Sequence, residues 1–252
     1  MEMQQLQNWI VSCMLLALRV TPVFAFAPPF TLTRMPKLFH VLFGLGFSIA
    51  LVSSQSATLL QNVHVGALVV AAGGELMLGM VFVLLMQLCF AGLQLAGRVI
   101  DIQAGLGLAT LIDPVSRAQT PLVGTLFSYA AGALFFSMDG HLELLRILAM
   151  SLDAVPIGQW QMPHSLDHLF AFTAAIFIAA LGVAGAAASG LFLIDVAIAL
   201  LARTVPQMNV LVLGFQVKTI ALLLFLPLCF GFGGALMIRM IRMTLEALPG
   251  FF

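Results

Sequence analysis

The sequence predicts an all-α protein that is embedded in a membrane. Hydrophobic residues make up 62% of its 252 residues, only 8% are charged, and the mean hydropathy is +1.13. An ordinary soluble domain carries about 25% charged residues, so this chain is either integral to a membrane or buried in a large apolar assembly. Its apolar runs approach or exceed the roughly 20 residues that a helix needs to cross a bilayer.

Six of these runs predict six helices, over residues 6–27, 38–60, 65–96, 121–138, 169–201 and 210–238. Several contain glycine or are longer than a simple span, so we expect them to tilt, kink or split into two helices. No polar stretch between them is long enough to fold alone, which predicts a single domain. The first run lacks a basic leader and a cleavage site and is expected to be retained.

The topology suggested by charge is inconsistent. Arg34 and Lys37 place the first connection on the cytoplasmic side by the positive-inside rule, and alternation then places Arg203 there as well. The same alternation puts Arg239 and Arg242 outside, against the rule. Simple serpentine threading is therefore doubtful for this chain.

Several functions are disfavoured by composition and motifs. Ten basic residues balance ten acidic ones, whereas a nucleic-acid-binding protein needs a basic face. Cys13, Cys89 and Cys229 lie in apolar runs without ligand partners and are expected to be buried hydrophobic residues. His164 and His168 share a helix face but lack a third metal ligand. With no enzyme signature present, we expect no metal, no cofactor and no catalysis.

The segment 101–121, which we call the strap, suits neither lipid nor water. Its apolar centre is flanked by charge and interrupted by Gly105, Gly107, Pro114 and Pro121, so it cannot be one continuous membrane helix. Non-helical backbone at membrane depth is tolerated only where protein buries it or where it lines a water-filled cavity. The strap is therefore a candidate for a segment lodged inside a pore.

The residue types of the strap are those that a seal requires. An apolar constriction blocks ions by dewetting, and that surface is provided here by Leu106, Leu108, Leu111 and Ile112. Gly105 and Gly107 are expected to give a flexible attachment. Asp113 followed by Pro114 is typical of a helix start. The pair either marks the break at which a re-entrant segment ends, or it has a gating role.

Three charged side chains interrupt strongly apolar sequence. Asp195 and Lys218 are equidistant from the turn at residues 203–209, so a hairpin about that turn brings them to the same height as an ion pair. A proton relay or a substrate site remains an alternative for them. Glu75 has no basic residue within reach along its own helix. It is a protonated core carboxyl, a contact with a neighbouring subunit or part of a proton path, and we favour subunit packing.

Glycine, proline and polar residues recur in a characteristic order along the chain. They are Gly97, Arg98, Gln103, Gly105, Ala109, Asp113, Pro114, Ser116, Gln119, Pro121, Gly124, Asp139, Gly140, His141, Ser151, Pro156, Gly158, Arg203 and Thr204, followed by residues 206–210, Gly214, Phe215 and Lys218. This order resembles the FliR/SctT export-gate proteins of flagellar and virulence type III secretion systems. The resemblance covers nearly the whole chain, and its flagellar character rests on the residues from 206 onwards. Gln216 departs from the family, which often has proline there.

The resemblance implies slanted, broken helical hairpins that are partly lifted out of the bilayer. Residues 1–164 would be organised like the FliP partner and residues 165–252, as a C-terminal hairpin, like FliQ. The strap would be the re-entrant plug loop, which lies in the pore until substrate passes. A tip facing the cytoplasm, covered by a loop of FlhB, would comprise Arg203, Pro206, Gln207, Met208 and Asn209.

The function implied is a non-enzymatic subunit of the flagellar export gate in the bacterial inner membrane, within the flagellar basal body. Its partners would be FliP and FliQ subunits, FlhB and, as a further candidate, FlhA, together with membrane lipid and unfolded export substrates. A virulence SctT homologue is the alternative within the family. A secondary transporter that uses Glu75, Asp195 and Lys218 is the alternative from another class, and a membrane enzyme comes third.

Overall fold

The structure is a computed structural model that describes residues 3–32, 36–54, 65–106, 121–159, 167–205 and 209–252. These residues form helices, turns and short connections, with no strand among them, as the sequence predicted. In order, the helices are α1 (Met3–Phe26), α2 (Pro28–Thr31), α3 (Lys37–Ser54), α4 (Val65–Gln103), α5 (Leu122–Ser137), α6 (Gly140–Ala154), α7 (Asp167–Thr204), α8 (Val210–Ala247) and a terminal 3₁₀ helix (Leu248–Phe251).

Each predicted apolar run contains one long helix, and the differences lie at the helix ends. Helices α4 and α8 continue past the predicted ends at residues 96 and 238, into sequence that carries charge. Charged side chains are compatible with a helix wherever it leaves the apolar region, so hydropathy alone underestimates helix length. The prediction missed α6, although its buried Leu144, Ile147, Leu148, Ser151 and Leu152 follow helical spacing.

Helices α4, α7 and α8 are too long for a simple crossing. They contain 39, 38 and 38 residues, which at 1.5 Å per residue is about 57 Å, whereas the hydrocarbon core of a bilayer is about 30 Å thick. By length and composition four described helices could span a membrane, or five if the bent pair of α5 and α6 counts as one span. The long helices must therefore tilt steeply or extend beyond the bilayer.

The chain divides into two compact units. Unit 1 comprises Met1–Leu88, Phe135–Phe172 and Arg242–Phe252, and unit 2 comprises Cys89–Leu134 and Thr173–Ile241. Both units are assembled from separate stretches of sequence, so long-range contacts hold each one together.

The core of unit 1 is built around α1. Leu16, Val20 and Phe24 of α1 are buried in one cluster with residues of α3, α4 and α6. Thr21 comes so close to Gly44 of α3 that a Cβ on Gly44 would lie 2.6 Å from the Thr21 hydroxyl oxygen. A glycine is therefore needed for α3 to pack this closely on α1.

The core of unit 2 also depends on close helix packing. A Cβ on Gly92 of α4 would lie 3.0 Å from the side chain of Ile176 and 3.4 Å from that of Ala180, both in α7, which is tighter than ordinary van der Waals contact. Gly190 of α7 accommodates the ring of Phe225 of α8, which a Cβ at Gly190 would meet at 2.7 Å. In lipid, where no hydrophobic driving force pushes helices together, such contacts between small residues and larger side chains supply much of the packing energy.

A testable consequence arises where α1 crosses α4. A Cβ on Gly79 would overlap the backbone carbonyl of Arg19, whereas a Cβ on Gly73 of the same helix meets nothing within 4 Å. We expect Gly79→Ala to destabilise the protein by about 1–3 kcal/mol because the backbones must separate. The matched control, Gly73→Ala, is expected to be neutral or to stabilise by up to about 1 kcal/mol. Thermal unfolding midpoints in detergent check both, and equal midpoints would contradict the crossing.

Candidate functional site

Helix α4 ends in a hydrogen-bonded cap at the start of the strap. Gly105 has a φ of +80°, in the left-handed region. Its N–H donates to the carbonyl of Ile102 at 3.0 Å, and the N–H of Leu106 donates to the carbonyl of Asp101 at 3.0 Å. These two bonds form a Schellman motif. Gly105 therefore fixes the direction in which the chain leaves α4, where a flexible attachment was expected.

The other end of the strap is tied to the same place. Asp101 is only 6% exposed. Both oxygens of its carboxylate accept a hydrogen bond from the backbone N–H of Val123 at 3.2 Å. Val123 is the second residue of α5, so Asp101 serves as its N-terminal cap from another helix. Its negative charge also favours the positive end of the helix dipole.

The backbones of α4 and α5 touch just beside this cap. A Cβ on Gly97 would overlap the backbone of Gly124, and a Cβ on Gly124 would lie 2.8 Å from the carbonyl oxygen of Gln94. Together with the Asp101 contact, this crossing brings the two ends of the strap together. We call this attachment, which comprises residues 97–106 and 121–124, the stem.

Most of the predicted plug residues lie outside the described residues. The stem contains Gly105 and Leu106, both partly exposed. The structure gives no account of the remaining ones, which are Gly107, Leu108, Leu111, Ile112, Asp113 and Pro114. The structure therefore describes how the predicted plug is attached to the rest of unit 2.

The structure brings together the two charges that were expected to pair across the hairpin of α7 and α8. The ammonium group of Lys218 contacts carboxylate oxygen Oδ1 of Asp195, with side chains 19% and 36% exposed. The other oxygen, Oδ2, accepts a hydrogen bond at 2.9 Å from the side-chain amide of Gln103, the last residue of α4. Both oxygens of Asp195 thus have a partner.

Glu75 has a partner that sequence reasoning missed. Nε and Nη2 of Arg19 donate to Oε2 and Oε1 of Glu75 at 2.6 and 3.0 Å, and both side chains are 0% exposed. This two-pronged geometry is the strong form of an arginine–carboxylate pair. It anchors α1 to α4 within one chain. Packing of Glu75 against a neighbouring subunit stays a prediction.

The same pair also holds the segment that follows α6. Nη1 of Arg19 donates to the carbonyl and hydroxyl oxygens of Ser151 at 2.9 and 3.2 Å, and Nη2 donates to the carbonyl of Val155 at 3.0 Å. The N–H of Gly158 donates to Oε1 of Glu75 at 2.8 Å. All five N–H donors of the guanidinium group can therefore be satisfied, as a buried arginine requires.

The predicted cytoplasmic tip is described only at its edges. Arg203 lies in the last turn of α7, where its charge favours the negative end of the helix dipole. Asn209 caps α8, because its side-chain oxygen accepts the N–H of Val212 at 3.3 Å. Pro206, Gln207 and Met208 lie outside the described residues.

Metal chemistry receives no support from the part of the chain that is described. Within it, no group of three or more His, Cys, Asp or Glu side chains is placed to hold a metal ion. His168 is exposed at the start of α7, and His164 lies outside the described residues. Cys13, Cys89 and Cys229 all lie among the described residues, where they are buried and form no disulfide.

The family of bacterial export proteins, family 1, matches residues 10–244 of this sequence. The chain belongs to this family. The match includes the buried pair of Arg19 and Glu75, the strap with its stem, and the hairpin pair of Asp195 and Lys218. The resemblance predicted from the motifs is thereby confirmed, and the chain is a membrane-embedded export protein of the FliR/SctT family.

Individual relatives come from both branches of the family. The flagellar biosynthetic protein FliR of Bacillus subtilis (strain 168) is 28% identical over 242 residues, 93% of this chain and 92% of the relative. FliR of Escherichia coli (strain K12) is 28% identical over 215 residues, 84% and 81% of the two chains. The Yop proteins translocation protein T of Yersinia pestis is 30% identical over 166 residues, 64% of each chain.

The buried pair provides a stability test. Glu75→Ala would leave the Arg19 guanidinium without a counter-charge and the Gly158 N–H without an acceptor, so we expect a loss of about 3–5 kcal/mol. The control is Glu143→Ala, which removes the acid of a pair with Arg146 whose side chains are 47% and 73% exposed and should cost about 0–1 kcal/mol. Protein levels in membranes and unfolding midpoints in detergent compare the two. Similar losses would show that Glu75 does not anchor α1.

The hairpin pair provides a second test, in which charge is removed without changing shape. Asp195→Asn leaves the Lys218 ammonium unpaired between two apolar helices, and we expect a loss of about 1–2 kcal/mol because the site is only partly buried. Adding Lys218→Met should restore part of the unfolding midpoint and of export. If Asp195 relayed protons, the double variant would fold but remain inactive, which would contradict a locking role.

Proposed function

We propose that this chain is a structural and gating subunit of the flagellar type III protein export gate. It forms the secretion pore together with FliP and FliQ subunits, and its strap plugs that pore when no substrate passes. Unfolded flagellar proteins are the proposed substrates. The role requires no catalytic group in this chain, because displacement of an apolar plug involves no bond chemistry.

Family membership carries the proposal, and coverage favours the flagellar branch. The two relatives named FliR align with 93% and 84% of this chain, whereas the Yersinia translocation protein aligns with 64%. A virulence secretion homologue is therefore the weaker candidate. The inner membrane and the flagellar basal body are the proposed location.

The geometry of the stem supports the plugging role. A segment that seals a pore must stay in place when idle and yet return after each opening. A closed loop meets both needs, since the Asp101 cap and the crossing of Gly97 and Gly124 tie its two ends together. An apolar sequence on such a stem can exclude water and ions by dewetting.

Exposed apolar faces support assembly with partner subunits. Large hydrophobic side chains of α7 and α8 remain exposed in the single chain, namely Ile178, Phe192, Leu193, Leu200, Ile220, Leu223, Leu224 and Phe232. Faces of this kind must be covered by lipid or protein. Since both helices exceed the thickness of a bilayer, we propose FliP and FliQ as their partners. FlhB, with FlhA as a further candidate, would meet the tip at residues 203–209.

The competing transporter hypothesis needs free carboxylates. A coupling residue must gain and lose a proton or an ion during transport. Glu75 is held by Arg19 and Gly158, and Asp195 is held by Lys218 and Gln103. Because both oxygens of each carboxylate already have a hydrogen-bond or ion-pair partner, the contacts favour a structural role for Glu75 and Asp195 over a role in transport.

Changes to the strap test the proposal in membranes that contain the assembled gate. Deleting residues 106–112 removes the apolar seal, so we expect ion conductance to rise severalfold while partner subunits still co-purify. Replacing the same seven residues by glycine and serine keeps the length of the loop but not its apolar character. We expect a comparable leak from that variant, because dewetting requires an apolar surface.

The seven-residue connection at 160–166 offers a length-matched control. Replacing it by glycine and serine should leave conductance unchanged. Intact gates that stay sealed after both strap changes would contradict the plugging role. A chain that purifies as a stable monomer and never with partners would contradict the gate itself.

A further inference from the structure

The end of α4 is tied to the hairpin of α7 and α8 through one amide. The Gln103 side-chain nitrogen donates to Oδ2 of Asp195 at 2.9 Å, while Oδ1 contacts Lys218. The acceptor therefore belongs to the ion pair that joins the two helices of the hairpin. One carboxylate group links three helices.

Gln103 stands at the end of α4 that leads into the strap. It is the last residue of the helix and directly precedes Ala104 and Gly105 of the stem. The Schellman hydrogen bonds close on the carbonyls of Asp101 and Ile102, the two residues that precede it. A side chain that holds Gln103 thus holds the turn that sets the direction of the strap.

We propose that Gln103 and Asp195 form a positioning contact that fixes the strap-bearing end of α4 against the hairpin. In this arrangement the two oxygens of Asp195 have separate tasks. Oδ1 pairs with Lys218 and locks α7 to α8, whereas Oδ2 accepts the amide of Gln103 and holds the end of α4. Loss of the contact between Asp195 and Gln103 therefore loosens the stem, even where α7 and α8 stay together. This inference rests on the proposed plugging function only for its effect on the seal.

A neutral donor suits this position for an electrostatic reason. A second carboxylate at position 103 would repel Asp195, and a basic residue would compete with Lys218 for it. An amide donates a hydrogen bond without changing the net charge of the group. The contact is also partly exposed, so it can open and close without stranding a fully buried charge.

Four variants separate the contact with Gln103 from the ion pair. Gln103→Met removes the donor and keeps the length of the side chain, and Asp195→Leu removes both contacts. Asp195→Asn keeps an acceptor oxygen for Gln103 but removes the charge that Lys218 needs, and Lys218→Met leaves Asp195 free to bind Gln103. Gln87→Met is the matched control, because Gln87 lies on the same helix and donates to the carbonyl of Phe26 at 2.8 Å, away from the strap.

Amide hydrogen exchange in the assembled gate measures the position of the stem without relying on any seal. We expect Gln103→Met and Asp195→Leu to speed exchange of the Gly105 and Leu106 amides by about three- to tenfold, as loss of one hydrogen bond implies. Asp195→Asn, Lys218→Met and Gln87→Met should leave these amides close to the wild-type rate. If these variants acted only by destabilising the protein in general, Asp195→Asn would speed exchange of these amides as much as Asp195→Leu does.

Unchanged exchange in Gln103→Met, or equal exchange in Asp195→Asn and Asp195→Leu, would overturn the inference. Ion conductance of the same preparations tests the proposed function separately. If exchange responds as expected but deletion of residues 106–112 causes no leak, the positioning contact stands and the plugging role falls. If the deletion causes a leak but exchange does not respond, the plugging role stands and the positioning contact falls.

Discussion

The buried ion pair of Arg19 and Glu75 is the contact on which the described part of unit 1 most depends. Both side chains are 0% exposed, and a charge removed from water is tolerated only when it is paired and hydrogen-bonded. The guanidinium group of Arg19 joins α1 to α4 through Glu75, and its remaining N–H groups donate to the backbone carbonyls of Ser151 and Val155. The local structure after α6 is therefore set by the needs of one arginine.

Charged side chains with hydrogen-bond partners also organise the described part of unit 2. Asp101 caps α5, and Asp195 receives Lys218 and Gln103. The Asp101 carboxylate is buried, whereas the side chains of Asp195 and Lys218 are partly exposed. Unit 1 thus relies on one fully buried ion pair, and unit 2 relies on a buried helix cap together with a partly exposed ion pair.

Features that depend on residues close together in the sequence could be predicted, whereas contacts between distant helices could not. The helices followed from apolar runs, and the pairing of Asp195 with Lys218 was expected because the two flank one turn at nearly equal distance. The partner of Glu75 was missed because Arg19 is 56 residues away, and no pattern along one helix reveals which other helix will lie beside it. The Asp101 cap was missed for the same reason, since the cap comes from a different helix. The plug residues beyond Leu106 remain a prediction.

Helix length also explains why charge-based threading failed. The positive-inside rule assumes helices that cross about 30 Å of hydrocarbon and then end. Arg239 is 29 residues beyond the start of α8 at Val210, a distance of about 44 Å along the helix axis. A helix that is upright and begins at one membrane surface has therefore left the hydrocarbon well before Arg239. Only strong tilting keeps that residue within it. The position of Arg239 and Arg242 thus reports the excess length of α8 more directly than the side of the membrane on which the helix ends.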